Sequence, residues 1–222
     1  MCNKKHGSHS KRGAIPKQFH RYFSLLALAV FLFSTTSLKS LASLQSHDDP
    51  ITRWENEILP TLLQDPFQVE KRLVLSGFQK ASGRTIDTIV LHSCYNPGLG
   101  DRYSVEAILA LFSRERVSAH YLIDREGTVY QLVNEENISY HAGKTEWQGR
   151  QAINKYSLGI ELINHTEDRY TEAQYRSLEL LLQDIERRHT IRFLVAHGEI
   201  APERRSDPWN FDWSRVARFR NR

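Results

Sequence analysis

Two short apolar runs that each lead into a histidine constrain the fold of this chain more than any other feature. Residues Ile86–Leu91 are rich in β-branched side chains and are followed by His92, which predicts a central strand with a polar residue at its C-terminal end. Residues Ile191–Val195 predict a second buried strand, and the polar loop after it contains His197. Strands that open into polar loops commonly carry functional residues, so we expect a site where these strands end.

Helical periodicity between the apolar runs predicts a mixed architecture. The clearest helix is Thr171–Arg188, where leucines recur at helical spacing and Thr171 with Gln174 forms a capping box. A second amphipathic helix is predicted over Ser104–Arg114. The other predicted elements are strands at Val69–Leu75 and Tyr156–Ile163, a hairpin of His120–Ile123 with Thr128–Val133, and short helices at Thr52–Leu63 and Trp209–Arg222. This order indicates a single α/β or α+β domain.

The first 42 residues differ in composition from the rest of the chain. They contain seven basic residues and no acidic one, so this segment carries a formal charge of +7, and the remaining residues carry −3 of the chain's total of +4. The basic balance therefore gives no case for nucleic-acid binding by the folded part. The apolar run Phe23–Phe33 is shorter than the ~20 residues of a membrane span, and small residues follow it. We therefore expect a signal peptide cleaved after Ala42 and export to the periplasm or medium. A retained N-terminal membrane anchor is the main alternative, and a buried core helix is a further one.

Three residues at or after strand ends can bind a metal: His92, His197 and Asp207. Catalytic zinc has three protein ligands of the nitrogen and oxygen type and one open position. The spacing matches no standard zinc motif, and a core or surface histidine is the commoner case. Cys94 lies two residues beyond His92 and would share its face on a continuing strand, but core packing is the better interpretation.

Four motifs in a fixed order carry a family resemblance. They are Ile89–His92, Tyr140–Gly143, Ser157–Leu162, and His197–Pro202 followed by Arg205–Pro208. The pattern resembles the zinc-dependent N-acetylmuramoyl-L-alanine amidases of the type 2 family, which are related to phage lysozyme-type amidases and peptidoglycan recognition proteins. It covers about Thr85–Pro208, so we divide the chain into the leader 1–42, an N-terminal extension 43–84 and an amidase domain 85–222.

The resemblance implies a fold and a catalytic centre. The fold is α/β (mixed), a single domain with a mixed central β-sheet flanked by helices and one zinc ion (Zn2+) in a surface groove. His92, His197 and Asp207 are the implied zinc ligands. Glu161 is the implied general base, and Arg205 stands where relatives carry a lysine that stabilises the oxyanion. Arg205 keeps the charge but presents a planar fork instead of a point charge.

The resemblance also implies substrate contacts from His141, Asn154 and Arg150. Phage-type relatives carry a tyrosine where this chain has Ala119, so no catalytic tyrosine is assigned. His120 is either a residue of the groove and its surroundings or a core or edge histidine.

The expected activity is hydrolysis of the amide between N-acetylmuramic acid and L-alanine in peptidoglycan or muropeptides. We expect a monomer without nucleic-acid partners, which would contact a membrane only through an uncleaved leader. Two alternatives are a non-catalytic peptidoglycan-binding module of the same fold and a zinc peptidase that cuts within the stem peptide. The presence of all three ligand positions and Glu161 favours the amidase over the binding module.

Overall fold

A six-stranded mixed sheet dominates the computed structural model, which describes residues 68–220. The predicted leader and the predicted helix Thr52–Leu63 lie outside the described residues. In chain order the strands are β1 (Val69–Lys71), β2 (Phe78–Gln79), β3 (Thr88–Cys94), β4 (Tyr121–Ile123), β5 (Val129–Gln131), β6 (Ile138–Ser139), β7 (Glu146–Trp147), β8 (Arg150–Gln151), β9 (Ser157–Ile163) and β10 (Phe193–Ala196). The main sheet has the order β1-β5-β4-β9-β3-β10, while β2 pairs with β6 and β7 with β8.

The centre of the sheet is parallel. Strand β3 lies between β9 and β10 and pairs in parallel with both, and β9 also pairs in parallel with β4. All residues of β3 before Cys94 are buried, which explains its nearly continuous apolar run. The predicted hairpin of β4 and β5 is confirmed as an antiparallel pair, with Gly127 in its turn at a φ of 87°.

One face of the sheet is covered by the long helix α2 (Glu172–Arg188). The Thr171 hydroxyl accepts from the Gln174 backbone N–H at 3.1 Å, and the Gln174 side chain accepts from the Thr171 N–H at 3.1 Å, so the predicted capping box is confirmed. Leu178, Leu181 and Ile185 of α2 belong to one buried cluster with side chains of β3 and β9. Each such side chain contributes about 1.5–3 kcal/mol when it is fully buried.

The opposite face is covered in two separate places. Helix α1 (Val105–Glu115) packs there against the β4 and β9 side, in a cluster that contains Ile108, Phe112, Leu122 and Ile163. A second cluster covers the β3 and β10 side and contains Val90, Ala142, Ile153, Val195 and Ile200. Side chains alternate along a strand, so His92 shares this face with Val90, and Glu161 shares it with Ile163. These polar residues therefore lie on the strip between the two apolar clusters.

Two predicted elements differ in the structure. The predicted strand Val69–Leu75 is shorter, but β1 pairs in parallel with β5, so this part of the segment 43–84 belongs to the main sheet. The predicted helix Trp209–Arg222 is a 3-10 helix over Trp213–Phe219, and non-helical backbone angles at Val216 interrupt it. Within residues 68–220, none of the helices combines the length and the hydrophobicity of a membrane span.

Candidate metal centre

Side chains from two strand ends and the following loop converge at one point. His92 lies near the end of β3, His197 directly follows β10 in a single helical turn, α3 (His197–Ile200), and Asp207 lies in the next loop. His92 Nδ1 is 3.0 Å from His197 Nδ1 and 3.5 Å from Asp207 Oδ2. His197 Nδ1 is 3.2 Å from the same Asp207 oxygen. All three residues are buried.

This triangle of atoms fits a zinc ion. Ligand atoms about 2.0–2.2 Å from zinc in a tetrahedron are separated by roughly 3.3–3.6 Å, which is close to the spacing of these three atoms. Burial lowers the pKa of His92 to about 4, so its imidazole is neutral as a metal ligand requires. Burial alone would raise the pKa of Asp207, but contacts with His197 and His92 outweigh it and hold this pKa well below the ordinary value. The cluster therefore offers two imidazole nitrogens and one carboxylate to a divalent cation.

Glu161 lies beside this cluster on the neighbouring strand. In the parallel register of β3 and β9 it is the partner of His92, so both side chains project from the same face. Burial, followed by the negative charge of Asp207, raises the pKa of Glu161 to about 8, although a hydrogen bond from Cys94 and the charge of Arg205 oppose the shift. Its Oε2 atom has no hydrogen-bond partner within residues 68–220. Glu161 is therefore suited to accept and return a proton near neutral pH.

Cys94 takes part in this arrangement more directly than the sequence indicated. Its thiol is hydrogen-bonded to Glu161, and burial raises the pKa of the thiol well above its ordinary value. The predicted sharing of a face with His92 is thus present, and the thiol is a neutral neighbour of the carboxylate.

Hydrogen bonds from Gly198 and Arg204 hold the loop after α3 in place. The Gly198 N–H donates to the backbone oxygen of Asp207 at 2.8 Å, and a Cβ at Gly198 would lie 3.1 Å from Ser206 Cα, so a glycine allows this close approach. Arg204 donates to the backbone oxygens of Ala142 and Lys144 at 2.7 and 2.9 Å.

The next residue along this loop, Arg205, is exposed. Its charge acts on both His92 and Glu161. The two adjacent arginines therefore differ in role. Arg204 connects two loops through hydrogen bonds, whereas the positive charge of Arg205 acts on residues of the cluster.

His141 lies behind the cluster. Its Nδ1 is 3.0 Å from His92 Nε2, and its Nε2 is 3.1 Å from the hydroxyl of Ser157. A Cβ at Gly159 would lie 2.5 Å from His141 Cγ, so the glycine of β9 makes room for this ring. The sequence signal for these contacts was present in the motif that contains Ser157, Gly159 and Glu161 at alternating positions of one strand.

His120 is a core residue. Its Nδ1 accepts from the Gly159 N–H at 3.0 Å, and its Nε2 lies 3.1 Å from the backbone oxygen of Asn137. Burial, with the charge of Arg84, lowers the pKa of His120 to about 3. Of the two interpretations from the sequence, the structure supports the core histidine. Ala119 is also fully buried.

The other two predicted substrate contacts are not brought to the cluster. Asn154 accepts from the Ala142 N–H at 3.0 Å and lines a cavity of about 560 Å³ together with Tyr140, Lys144 and Lys155.

Arg150 lies at the opposite end of the sheet from the cluster. It donates to Asp87 at 3.0 Å and stacks on the Tyr156 ring, with its guanidinium carbon 3.6 Å from the ring centroid. Asp87 precedes β3 and is five residues from His92, or roughly 16 Å along a strand. The roles of Asn154 and Arg150 in substrate binding stay predictions.

Sequence comparison relates this chain to N-acetylmuramoyl-L-alanine amidases. Residues 82–210, more than half of the chain, match the family described as N-acetylmuramoyl-L-alanine amidase (Amidase_2). The chain is 42% identical over 104 residues to the 1,6-anhydro-N-acetylmuramyl-L-alanine amidase AmpD of Haemophilus influenzae, a match that covers 45% of this chain and 56% of that protein. It is 33% identical over 131 residues to the N-acetylmuramoyl-L-alanine amidase AmiD of Escherichia coli, covering 50% and 48% respectively. The chain thus spans about half the length of the curated relatives it matches.

Two solved structures share the fold. A crystal structure of AmpD has 31% sequence identity and a TM-score of 0.57, and the match covers 68% of this chain and 95% of that one. The complex of AmiD from E. coli with the substrate anhydro-N-acetylmuramic acid-L-Ala-D-gamma-Glu-L-Lys has 31% identity and a TM-score of 0.54, with 63% and 59% covered.

The raised pKa of Glu161 predicts a specific pH dependence for the zinc-free protein. From pH 4.5 to about 8 the unfolded state loses the Glu161 proton that the folded state retains, so this residue's contribution to stability decreases as pH rises. Glu161→Gln removes that decrease, and the variant should become more stable relative to wild type from about pH 5 to about pH 8. Urea unfolding with a chelator present measures the difference. Glu203→Gln, an exposed loop change, is the control, and a pH-independent difference for Glu161→Gln would contradict the raised pKa.

Proposed function

This chain belongs to the N-acetylmuramoyl-L-alanine amidase family, and we propose that it hydrolyses the amide bond between N-acetylmuramic acid and L-alanine in peptidoglycan or muropeptides. The observation that carries the proposal is the convergence of His92, His197 and Asp207 on one point, with Glu161 in register beside them. The substrate complex of AmiD supports the choice of bond, because its ligand contains that muramic acid and L-alanine junction.

Each residue of the cluster has a distinct task in this reaction. His92, His197 and Asp207 would hold one zinc ion through the three atoms that converge. The chemistry that zinc supplies in such a site is that of a Lewis acid, which polarises an amide carbonyl and makes water a stronger acid. Glu161 accepts the proton of the attacking water as the new C–O bond forms. It then returns that proton to the nitrogen of L-alanine as the C–N bond breaks, so it ends the cycle unchanged.

Arg205 supplies positive charge where the carbonyl oxygen becomes negative. Its charge already acts on both His92 and Glu161, and it is exposed and can therefore reach a bound substrate. A cation that is directed at the developing oxyanion lowers the barrier, because the charge is greater in the transition state than in the bound amide.

Loss of the Glu161 carboxylate should slow turnover strongly and leave metal binding intact. We expect Glu161→Gln to reduce the rate by about 10²–10⁴, the usual contribution of a positioned acid or base. The assay is digestion of purified peptidoglycan and muropeptides by zinc-loaded protein, with mass spectrometry of the products and metal analysis of the variant. Free stem peptides with an N-terminal L-alanine support the proposal, and Glu203→Gln should leave their yield unchanged.

Other products of this digestion would refute the proposed activity. Zinc-loaded wild type that releases nothing would indicate a peptidoglycan-binding module. Cuts between stem amino acids would indicate a peptidase.

The adjacent arginines provide a matched test of the oxyanion role. Arg205→Ala should lower kcat by about 10²–10³, and Arg205→Lys should restore much of it because the charge returns. Arg204→Ala should instead lower the melting temperature, since it removes two hydrogen bonds between loops. Equal losses of kcat in Arg204→Ala and Arg205→Ala at unchanged stability would contradict this division of roles.

We also propose that the protein is exported and acts in the periplasm or outside the cell. The basic arm, the apolar run Phe23–Phe33 and the small residues up to Ala42 support this location, as does the proposed cell-wall substrate. Fractionation of cells that express the full chain, with N-terminal sequencing of the product, is the measurement. Residue 43 at the N-terminus of periplasmic protein is the expected result. Product in the membrane fraction with residues 1–42 retained would favour the anchor, and cytoplasmic product would refute export.

A further inference from the structure

A continuous hydrogen-bond chain leads from a backbone carbonyl to the far side of the metal cluster. The Ser157 hydroxyl donates to the backbone oxygen of Ile153 at 2.8 Å and lies 3.1 Å from His141 Nε2. On the other side of the same ring, His141 Nδ1 lies 3.0 Å from His92 Nε2. The chain ends at His92 Nδ1, the atom that faces His197 and Asp207.

The direction of each hydrogen bond follows from the number of protons available. A carbonyl oxygen can only accept, so the single hydroxyl proton of Ser157 is directed to Ile153. The hydroxyl oxygen must then accept from His141, and His141 carries its proton on Nε2. A neutral imidazole has one N–H, so His141 Nδ1 is an acceptor.

The same reasoning extends to His92. Because His141 Nδ1 accepts, the proton of His92 lies on Nε2 and points towards His141. The lone pair of His92 is therefore on Nδ1, which is directed at the other two predicted ligands. A ligand histidine that donates its second N–H in this way has a fixed tautomer and ring orientation.

We propose that His141 and Ser157 are positioning residues that hold His92 in the tautomer that can bind the metal. The inference rests on the proposed zinc site and deepens it. Strand β9 contributes three features at alternating positions, which share one face: the Ser157 hydroxyl, the space at Gly159 that admits the His141 ring, and the Glu161 carboxylate. We call this hydrogen-bond chain from Ile153 through Ser157 and His141 to His92 the relay. Both nitrogens of His141 are used in it, so they are not available to hydrogen-bond a substrate.

Imidazole ¹⁵N NMR of the zinc-free wild-type chain tests the relay without any substitution. The expected result is a proton on Nε2 of both His92 and His141. A proton on Nδ1 of either residue would overturn the proposal.

Zinc affinity, measured by competition with a chelator, tests the consequence for the metal. His141→Phe keeps a ring but removes the acceptor, and we expect a roughly 10- to 100-fold weaker affinity. His141→Asn places an amide oxygen near the Nδ1 position and should recover part of the loss. Ser157→Ala should weaken affinity less, because it removes only the orientation of His141.

Ser139 offers a matched control for this series. It is a buried serine whose hydroxyl donates to the backbone oxygen of Ser118 at 2.7 Å and has no hydrogen bond to a histidine within residues 68–220. Ser139→Ala should leave zinc affinity within about twofold of wild type. This is much less than the loss expected when His141, the hydrogen-bond partner of His92, is replaced. A folded His141→Phe variant with affinity within the same range would overturn the relay.

The two measurements separate failure of the relay from failure of the proposed function. Wild-type protein that has the Nε2–H tautomer of His92 but binds no zinc would refute the metal site and leave the relay supported. Wild-type protein that binds zinc but carries the zinc-free proton of His92 on Nδ1 would refute the relay alone.

Discussion

The parallel pairing of β3 with its two neighbours is the constraint on which the site depends. Pairing with β9 sets His92 in register with Glu161, and pairing with β10 brings His197, 105 residues away in sequence, to within 3.0 Å of His92. The C-terminal ends of parallel strands lie at the same edge of a sheet, so residues at these ends meet even when they are far apart in sequence. A shift of one residue in this register would turn Glu161 to the opposite face.

Incomplete coverage of one sheet face leaves space for chemistry. Helix α2 covers one face of the sheet with a buried cluster that is rich in leucine and isoleucine. On the opposite face, α1 and the segment with Ala142 and Ile153 cover only the two margins. In the polar strip between these margins, the pKa values of two carboxyl groups shift in opposite directions. Contacts with two histidines keep the pKa of Asp207 low, whereas burial and the nearby Asp207 charge raise the pKa of Glu161 to about 8. Such divergence allows one site to hold both a carboxylate that stays charged and a carboxyl group that can take up or release a proton near neutral pH.

Residues behind and beside the cluster define its geometry as much as its three converging residues do. Gly159 leaves space for the His141 ring to reach His92. Of the two neighbouring arginines, Arg204 attaches the loop by hydrogen bonds and Arg205 contributes positive charge. Buried polar groups need partners, so a histidine held by a second histidine and a serine, as His92 is, is more precisely oriented than one in an apolar pocket.

The sequence by itself determined the central strands, the capped helix α2 and, through its four motifs, the residues that meet at the cluster. The strands and the helix could be predicted because buried segments show a local periodic pattern of apolar residues. The residues of the cluster could be predicted because they stand at fixed positions in short motifs. Only the tertiary structure decided the positions of His141, Arg150 and Asn154, since the segment between β6 and β9 has no such periodicity. Its path is set by distant partners, namely Asp87 for Arg150, Arg204 for the backbone of Ala142, and Gly159 for His141. Polar contacts of this kind depend on three-dimensional proximity, which one chain read in order does not record.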